Sequence, residues 1–331
     1  MASEHDLILR DGLEAALART NDARVRANLR IAADILVQEV ENPQAMAYLH
    51  SILCTIYLPH RRTDPEEIWQ RSNGDGATLM IQPTRDEEGR CYGVPYGSTG
   101  RLMMIYLQNE AYRNRSRRVE LGRSMHAWLR AMGCDSSGKG YKAAKEQALR
   151  IERSLVSVSY TGLNGKERWQ DTIIRGSFNL CHDRESDQFP QLVELSESFY
   201  DALLRHPAVL FEPAIRHLAG KSLALDIYVW LAYRLHALHK PTLVSWRALH
   251  SAFGPNYGRE RDFRLKFKES LEAALLVYPQ AELDVEERGL LLRPSAPPGP
   301  PRSVIYLQRQ RRLERQQQRF ADQRQHRLDL P

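Results

Sequence analysis

GKGYKAAKEQALRIERSLVSVSYTGLNGKERWQ, residues 138–170, changes its hydrophobic period halfway, and that change decides the fold. Over Tyr141–Arg153 the spacing is helical: Ala144, Ala148, Ile151 and Leu155 gather on one face at about 100° per residue. Beyond Arg153, Val156, Val158 and Tyr160 alternate with Ser157 and Ser159, the period of a strand. Asn164-Gly165 tolerates positive φ at both positions and predicts a hairpin turn, with Thr172–Leu180 as the returning strand. Lys166 and Arg168 then make a basic tip. Two more helical segments precede this stretch. Gly100–Tyr112 carries Leu102, Ile105, Tyr106 and Leu107, and Gly122–Met132 carries Met125, Trp128, Leu129 and Met132. Helices followed by a basic two-stranded ribbon are the order of a winged helix, a helix-turn-helix variant whose third helix enters a DNA groove.

The order recurs. Leu223–Leu238 is a long apolar helix, Ser245–Phe253 a short one closed by Gly254-Pro255, and Arg259–Tyr278 a third ended by Pro279. Glu282–Val285, Glu286–Gly289 and Leu290–Arg293 follow as strand, tip and strand. The expected fold class is α+β and helix-rich: two tandem winged-helix domains with a helical N-terminal extension and a basic helical C-terminal tail. Its divisions fall at 1–60, 61–185, 186–293 and 294–331. Val25–Val40 and Gln44–Leu58 read as helices of the extension, stopped by Asn42-Pro43 and Pro59. Thr78–Gln82 and Arg90–Val94 read as short strands around a turn, and Leu192–Leu218 as a linking helical stretch. Pro294–Pro301 (PSAPPGPP) should be an extended spacer leading to the Arg/Gln-rich segment 309–327.

With 331 residues, 42% hydrophobic and 27% charged, the chain has apolar material for about two domains, and whole-chain disorder is excluded. The longest apolar runs, such as Ile52–Leu58, are far shorter than the ~20 residues of a spanning helix. MASEHDLILRDGLEAA has early acids and no basic-then-apolar block, so it does not read as a signal peptide. Cys54, Cys91, Cys134 and Cys181 make neither a disulfide framework nor a CxxC pair, and the expectation is a soluble cytoplasmic protein. The net charge of +6 is unevenly spread. Residues 111–175 hold fourteen Lys/Arg against six Asp/Glu, and 301–331 hold eight against three, whereas the first sixty residues hold five against eight. Basic excess gathered in segments favours a polyanion-binding surface.

The DNA-binding candidates are the cations expected on outward faces of the third helices and on the ribbon. In the first unit they are Lys139, Lys142, Lys145, Arg150 and Arg153, with Lys166 and Arg168 on the ribbon. In the second, Arg261 and Lys268 lie with Leu265 opposite the core stripe of Phe263, Phe267, Leu271 and Ala274, and Arg259, Arg264 and Lys266 flank them. Arg or Lys there can reach guanine edges or phosphates, and an outward Leu149 could touch a thymine methyl. Catalytic patterns fail. Gly133-CDSSGK-Gly140 nearly matches a phosphate-binding loop but has Gly140 where Ser/Thr should hold Mg²⁺, and it follows a helix rather than a strand. Ala219-Gly-Lys-Ser222 lacks the leading glycine; His236 and His239 have no further ligands at matching spacing. No enzymatic activity, cofactor or metal is expected.

A resemblance sharpens this reading. GVPYGS (93–98), RLMMIYL (101–107), Glu110-Ala111, SRRVELGRS (116–124) and KEQALRI (145–151) occur in order. LALDIYVWLAYRL (223–235), WRAL (246–249), Phe253-Gly254, RDFRLKF (261–267) and Tyr278-Pro279 follow. Over about Leu49–Ser295 the chain resembles the plasmid replication initiators of Gram-negative bacteria, of the RepA and TrfA-like type. That resemblance implies binding to repeated double-stranded sites (iterons) at a plasmid origin, opening of an adjacent A·T-rich segment, and engagement of host initiator and helicase machinery. It also implies a homodimer that represses its own gene, and no membrane partner. A winged-helix transcription regulator without a replication role and a non-specific interaction scaffold stay open as alternatives.

Overall fold

The computed structural model describes residues 3–73, 76–162, 165–176, 178, 192–254 and 257–299. The N-terminal helices α1 (Glu4–Asp11), α2 (Leu13–Ala18) and α3 (Ala23–Glu41) pack through a small cluster of Ala16, Leu17 and Leu29. Ser3 and Asp6 form a reciprocal capping box on α1, and Asp22 caps α3 by accepting from Arg24 and Val25 N–H. Segment 44–58 is not the helix its apolar content suggests. Met46–His50 is a strand, β1, followed by a 3₁₀ turn over Ser51–Cys54. β1 alternates inward Ala47 and Leu49 with outward neighbours, and His50 starts the 3₁₀ turn by accepting from Ile52 N–H at 3.0 Å. Its partner comes from about 160 residues away, and a local period cannot announce such a pairing.

β2 (Trp69–Ser72) and β3 (Thr78–Pro83) pair next, then α4 (Gly97–Asn114) begins after the Gly93–Tyr96 loop. Arg90–Val94 is not a strand; a single bridge, Arg85 to Cys91, is all that forms, because Gly93 turns to φ +83°. Short β4 (Arg118–Glu120) leads to α5 (Met125–Ala131), capped by Ser124, and α6 (Gly138–Glu152). β5 (Ser154–Gly162) and β6 (Gly165–Thr172) form an antiparallel ribbon with register Gly162 to Gly165 and Leu155 to Thr172. The returning strand therefore begins directly at Gly165 and ends at Thr172, earlier than Thr172–Leu180. Asn164 itself lies outside the described residues. β6, β5, β3 and β2 make one antiparallel sheet.

β7 (Ile174–Arg175) and β8 (Leu192–Leu195) join β4 in a small sheet, followed by α7 (Glu197–Arg205), β9 (Pro207–Phe211) and α8 (Glu212–His217). The stretch Leu192–Leu218 is thus strand, helix, strand, helix rather than continuous helix, and β9 is the distant partner of β1, Met46 opposite Phe211. α9 (Ser222–Leu235) is buried almost all round, as a helix apolar on every face must be. β10 (Thr242–Ser245), α10 (Trp246–Phe253), α11 (Glu260–Leu275), β11 (Leu283–Val285) and β12 (Gly289–Leu292) complete the described chain. β10 was not expected; it pairs with β12, which lies between it and β11. Gly289 is needed there, since a Cβ would stand 2.0 Å from the Val244 carbonyl oxygen. The tail 301–331 lies outside the described residues.

The outcome is a helix-rich mixture of helices and antiparallel strands. Twice, three helices precede a ribbon: α4, α5, α6 then β5–β6, and α9, α10, α11 then β11–β12. One contiguous apolar cluster runs through both sets, from Ile35 to Leu292. Arg101 of α4 and Asp226 of α9 join the sets with a buried bidentate pair, Nε to Oδ1 and Nη2 to Oδ2 both at 2.7 Å. The remaining Arg101 donors reach the Leu58, Pro59 and Gly97 carbonyls, so none is stranded. Motif segments 101–107 and 223–235 therefore meet through their charged members.

Candidate nucleic-acid interface

α6 starts where Asp135 accepts from Ser137 N–H at 2.9 Å. Gly140 is fixed by packing, because a Cβ there would stand 1.8 Å from the Asp135 carbonyl oxygen. Gly138-Lys-Gly140 is therefore the first helical turn, and of its two glycines Gly140 alone answers to Asp135, since a Cβ on Gly138 would meet nothing within 4 Å. The buried stripe is Ala144, Ala148 and Ile151, as the spacing predicts, but Leu155, its fourth expected member, lies in β5 and is half-buried. Lys139, Lys142 and Lys145 are exposed.

Arg150 does not join them. It is 2% exposed, donates through Nη1 to the Val94 carbonyl at 3.2 Å and through Nη2 to Glu146 at 2.9 Å, and lies 4.9 Å over the Tyr96 ring. Gly93 makes the room: a Cβ there would come within 2.6 Å of Arg150 Nη1. Next to it, the buried Gln147 carboxamide oxygen accepts from Tyr96 N–H at 2.8 Å. The 93–97 loop thus covers the face of α6 that a bare helical projection leaves in solvent, and Arg150 is a structural residue. Arg153 is half-buried at the helix end, 3.5 Å from Glu87 and 3.8 Å from Glu152. On the ribbon, exposed Arg168 stands opposite Ser159, and Lys166 takes the register position opposite Thr161, one pair from the ribbon's end.

α11 is held by aromatic packing. Phe263 and Phe267 are fully buried and meet Phe253, Trp246, His250 and Tyr257 at ring-centroid distances of 5.0–5.9 Å. Each such ring contributes about 1.5–3 kcal/mol by burial. Gly254 lets Phe263 in, since a Cβ there would stand 2.3 Å from the ring. On the far side, Arg264 pairs with Glu260 and Lys266 with Glu269, at 2.5 and 3.0 Å. Arg264 and Lys268 also lie 5.3 and 5.6 Å from the Trp246 ring centre. Arg259 and Arg261 are exposed and form no ion pair among the described residues. All five predicted cations of this helix thus reach its accessible side.

The structure adds residues that periodicity could not find. Arg61, in the loop after Pro59, lines two cavities that also share Tyr257, one reaching Asp262 at the start of α11 and the other its middle and C-terminal half. The larger, about 540 Å³, is lined by Arg24, Arg61, Lys221 and Lys266 together with Glu269 and Glu272. Lys266 is paired with Glu269 and Arg24 with Glu272, which leaves Arg61 and Lys221 without an ion pair among the described residues. A loop arginine shows no repeat by which sequence could single it out. His60, beside it, has its pKa pushed down to about 4 by burial and by the neighbouring Arg101 guanidinium, so it is neutral at pH 7.

Among the described residues, no cluster of three or more His, Cys, Asp or Glu is placed to hold a metal ion, and no helix is long and apolar enough to cross a membrane. Two helix-led units with cations on their third helices define a class of candidate polyanion binders. Residues 94–247, from the loop before α4 into α10, match the family described as plasmid encoded RepA protein. The resemblance to the plasmid replication initiators holds over that segment. Among solved structures, the chain is similar to selenomethionine derivatives of domains 2 and 3 of RctB, at 14% identity and a TM-score of 0.46. That match covers 66% of this chain and 81% of the other. A second structure of RctB domains 2–3 gives 14% identity and a TM-score of 0.45, covering 70% and 83%. No curated protein matches the chain.

Proposed function

We propose that this protein is a plasmid replication initiator that binds direct repeats at its origin through two winged helices. The observation that carries the reading is the RepA family match over residues 94–247, which takes in α4, α5, α6 and α9. In this reading α6 and α11 are the groove-entering helices, and the divisions 61–185 and 186–293 are the two DNA-binding domains. Lys139, Lys142, Lys145, Arg259, Arg261 and Lys268 meet bases or phosphates, and the β5–β6 ribbon carries Lys166 and Arg168 to the backbone or minor groove. The protein works by binding rather than by a reaction of its own. Binding energy and bending open a neighbouring A·T-rich segment, whose flexible steps deform at least cost. Host initiator and helicase proteins then assemble on the opened origin, and a dimeric form acts on the promoter of its own gene.

Gel shifts on DNA flanking the gene, searched for tandem repeats, test the reading. The expected result is saturable binding to a repeat-bearing fragment that random DNA of equal length does not compete away at moderate salt. Equal affinity for both fragments at every salt concentration overturns it. Arg261→Ala is expected to cost about 1–3 kcal/mol with relaxed preference at one base pair if the side chain reads a base. If it touches phosphate alone, the loss is uniform across sequences and the log–log salt slope falls by about 0.9.

A further inference from the structure

The face of α11 directed away from its core is not purely cationic. Leu265 sits at its centre with 65% of its surface exposed, diametrically opposite the stripe of Phe263, Phe267, Leu271 and Ala274. It is flanked one turn before by Arg261 and nearly one turn after by Lys268. The core beneath is already filled by Phe263 and Phe267, so Leu265 has no part in it. Its remaining neighbours on the helix surface are the exposed Asp262 and Glu269, so Leu265 sits among charges of both signs and gains nothing from phosphate or from the polar edges of bases. One apolar group does project from the floor of the DNA major groove among those polar edges: the C5 methyl of thymine.

We propose that Leu265 is a specificity-determining residue that packs on a thymine methyl while Arg261 and Lys268 hold the flanking phosphates or bases. The inference rests on the proposed origin binding and adds to it the identity of one base. The support of α11 suits the task. Phe263 is locked against Gly254 and His250, and Phe267 is locked against Trp246, so the helix carries Leu265 on a fixed path. Arg264 is drawn back by Glu260 and the Trp246 ring, and Lys266 by Glu269; Lys268 also lies over the Trp246 ring but is exposed and has no carboxylate partner among the described residues, which leaves Leu265 and Arg261 foremost with Lys268 beside them. Precise placement matters because a methyl contact is short-ranged and loses much of its value over a gap of 1 Å or so.

The test uses the full chain and the duplex it selects best from a random library. Each thymine of that duplex is replaced in turn by deoxyuridine, which removes only the methyl group. The expected result is one position per bound molecule at which the wild type loses about threefold to tenfold in affinity. Leu265→Ala should bind the thymine duplex more weakly by a similar factor and be indifferent to deoxyuridine at that position. It should keep the wild-type response at every other thymine, and Leu265→Met should restore sensitivity. Leu265→Ala is expected to keep the wild-type thermal melting curve, since the side chain is outside the core. A wild type with no deoxyuridine-sensitive position, or a Leu265→Ala protein with an unchanged pattern, overturns the inference while leaving origin binding intact. Failure to select any duplex over random DNA overturns the origin-binding reading and this inference with it.

Discussion

Arg150 and Arg261 carry the same charge and both project away from the apolar stripe of their own helix, yet one is buried and the other exposed. The helical period states where each residue points, and tertiary structure decides what lies there. Over α6 lies the 93–97 loop, brought in by Gly93 and clamped by Gln147 and Arg150. Arg150→Ala is therefore expected to act on stability. It strands the Val94 carbonyl and releases half-buried Glu146, a loss of about 2–3 kcal/mol in urea unfolding. The salt slope of DNA binding should not change. Two histidines give a second check at this scale. His50 is pushed down to about 3 by burial and by the nearby His206 and Arg205, and His60 to about 4. Between those values and the ordinary 6.5, the unfolded chain binds protons that the folded chain refuses, so stability rises with pH across that window. The contribution is complete above about pH 6.5 and is lost on acidification, at most about 1.4 kcal/mol per pH unit for each histidine. Urea midpoints measured from pH 7 to pH 5 should fall, and His60→Gln should flatten the fall.

At the scale of elements, legibility follows the range of the forces that make each one. α3, α4, α6, α9 and α11 were readable to within a few residues because caps, glycines and apolar spacing lie inside the element itself. β1 and β9 were not. An apolar stretch of this length suits a helix or a strand, and the choice falls to a pairing partner far along the chain. β10 carries no local signal for the same reason, its four residues pairing only with β12. Among the candidate site residues, the cations of α11 were legible because its core stripe of aromatics is unambiguous. Those of α6 were legible except where a loop returns over the helix. Arg61 was not legible at all. The α10–α11 turn supplies the prediction for this scale. Gly254→Ala would drive a Cβ to 2.3 Å from the Phe263 ring and 3.0 Å from His250. Overpacking of this kind costs about 1–3 kcal/mol. A lowered melting temperature is expected, together with a matching loss of DNA affinity if α11 is the reading helix.

For the whole molecule, the two helix-led sets are parts of one packed body. The core cluster is continuous from Ile35 to Leu292, β1 and β9 pair across it, and Arg101 closes it with a bidentate bond to Asp226 and three further bonds to the Leu58, Pro59 and Gly97 carbonyls. Breaking such a pair by removing one partner is costly, so the two sets resist separation. This bears directly on how DNA would be read. If α6 and α11 are the groove-entering helices proposed above, a common support fixes their separation; at one helical turn, about 10–10.5 bp on one side of the duplex, one molecule is expected to cover roughly 20 bp. Inserting a single base pair at the centre of a site displaces one half by about 3.4 Å and rotates it by about 35°. Affinity should therefore fall with each insertion. Five inserted pairs put the second half on the opposite face, where only one helix can engage. Ten inserted pairs restore the face but add about 34 Å, more than a rigid support can span, so affinity should stay low. Recovery of binding at ten pairs in a gel shift would mean two flexibly tethered modules, and would count against the shared core as the element that sets the spacing.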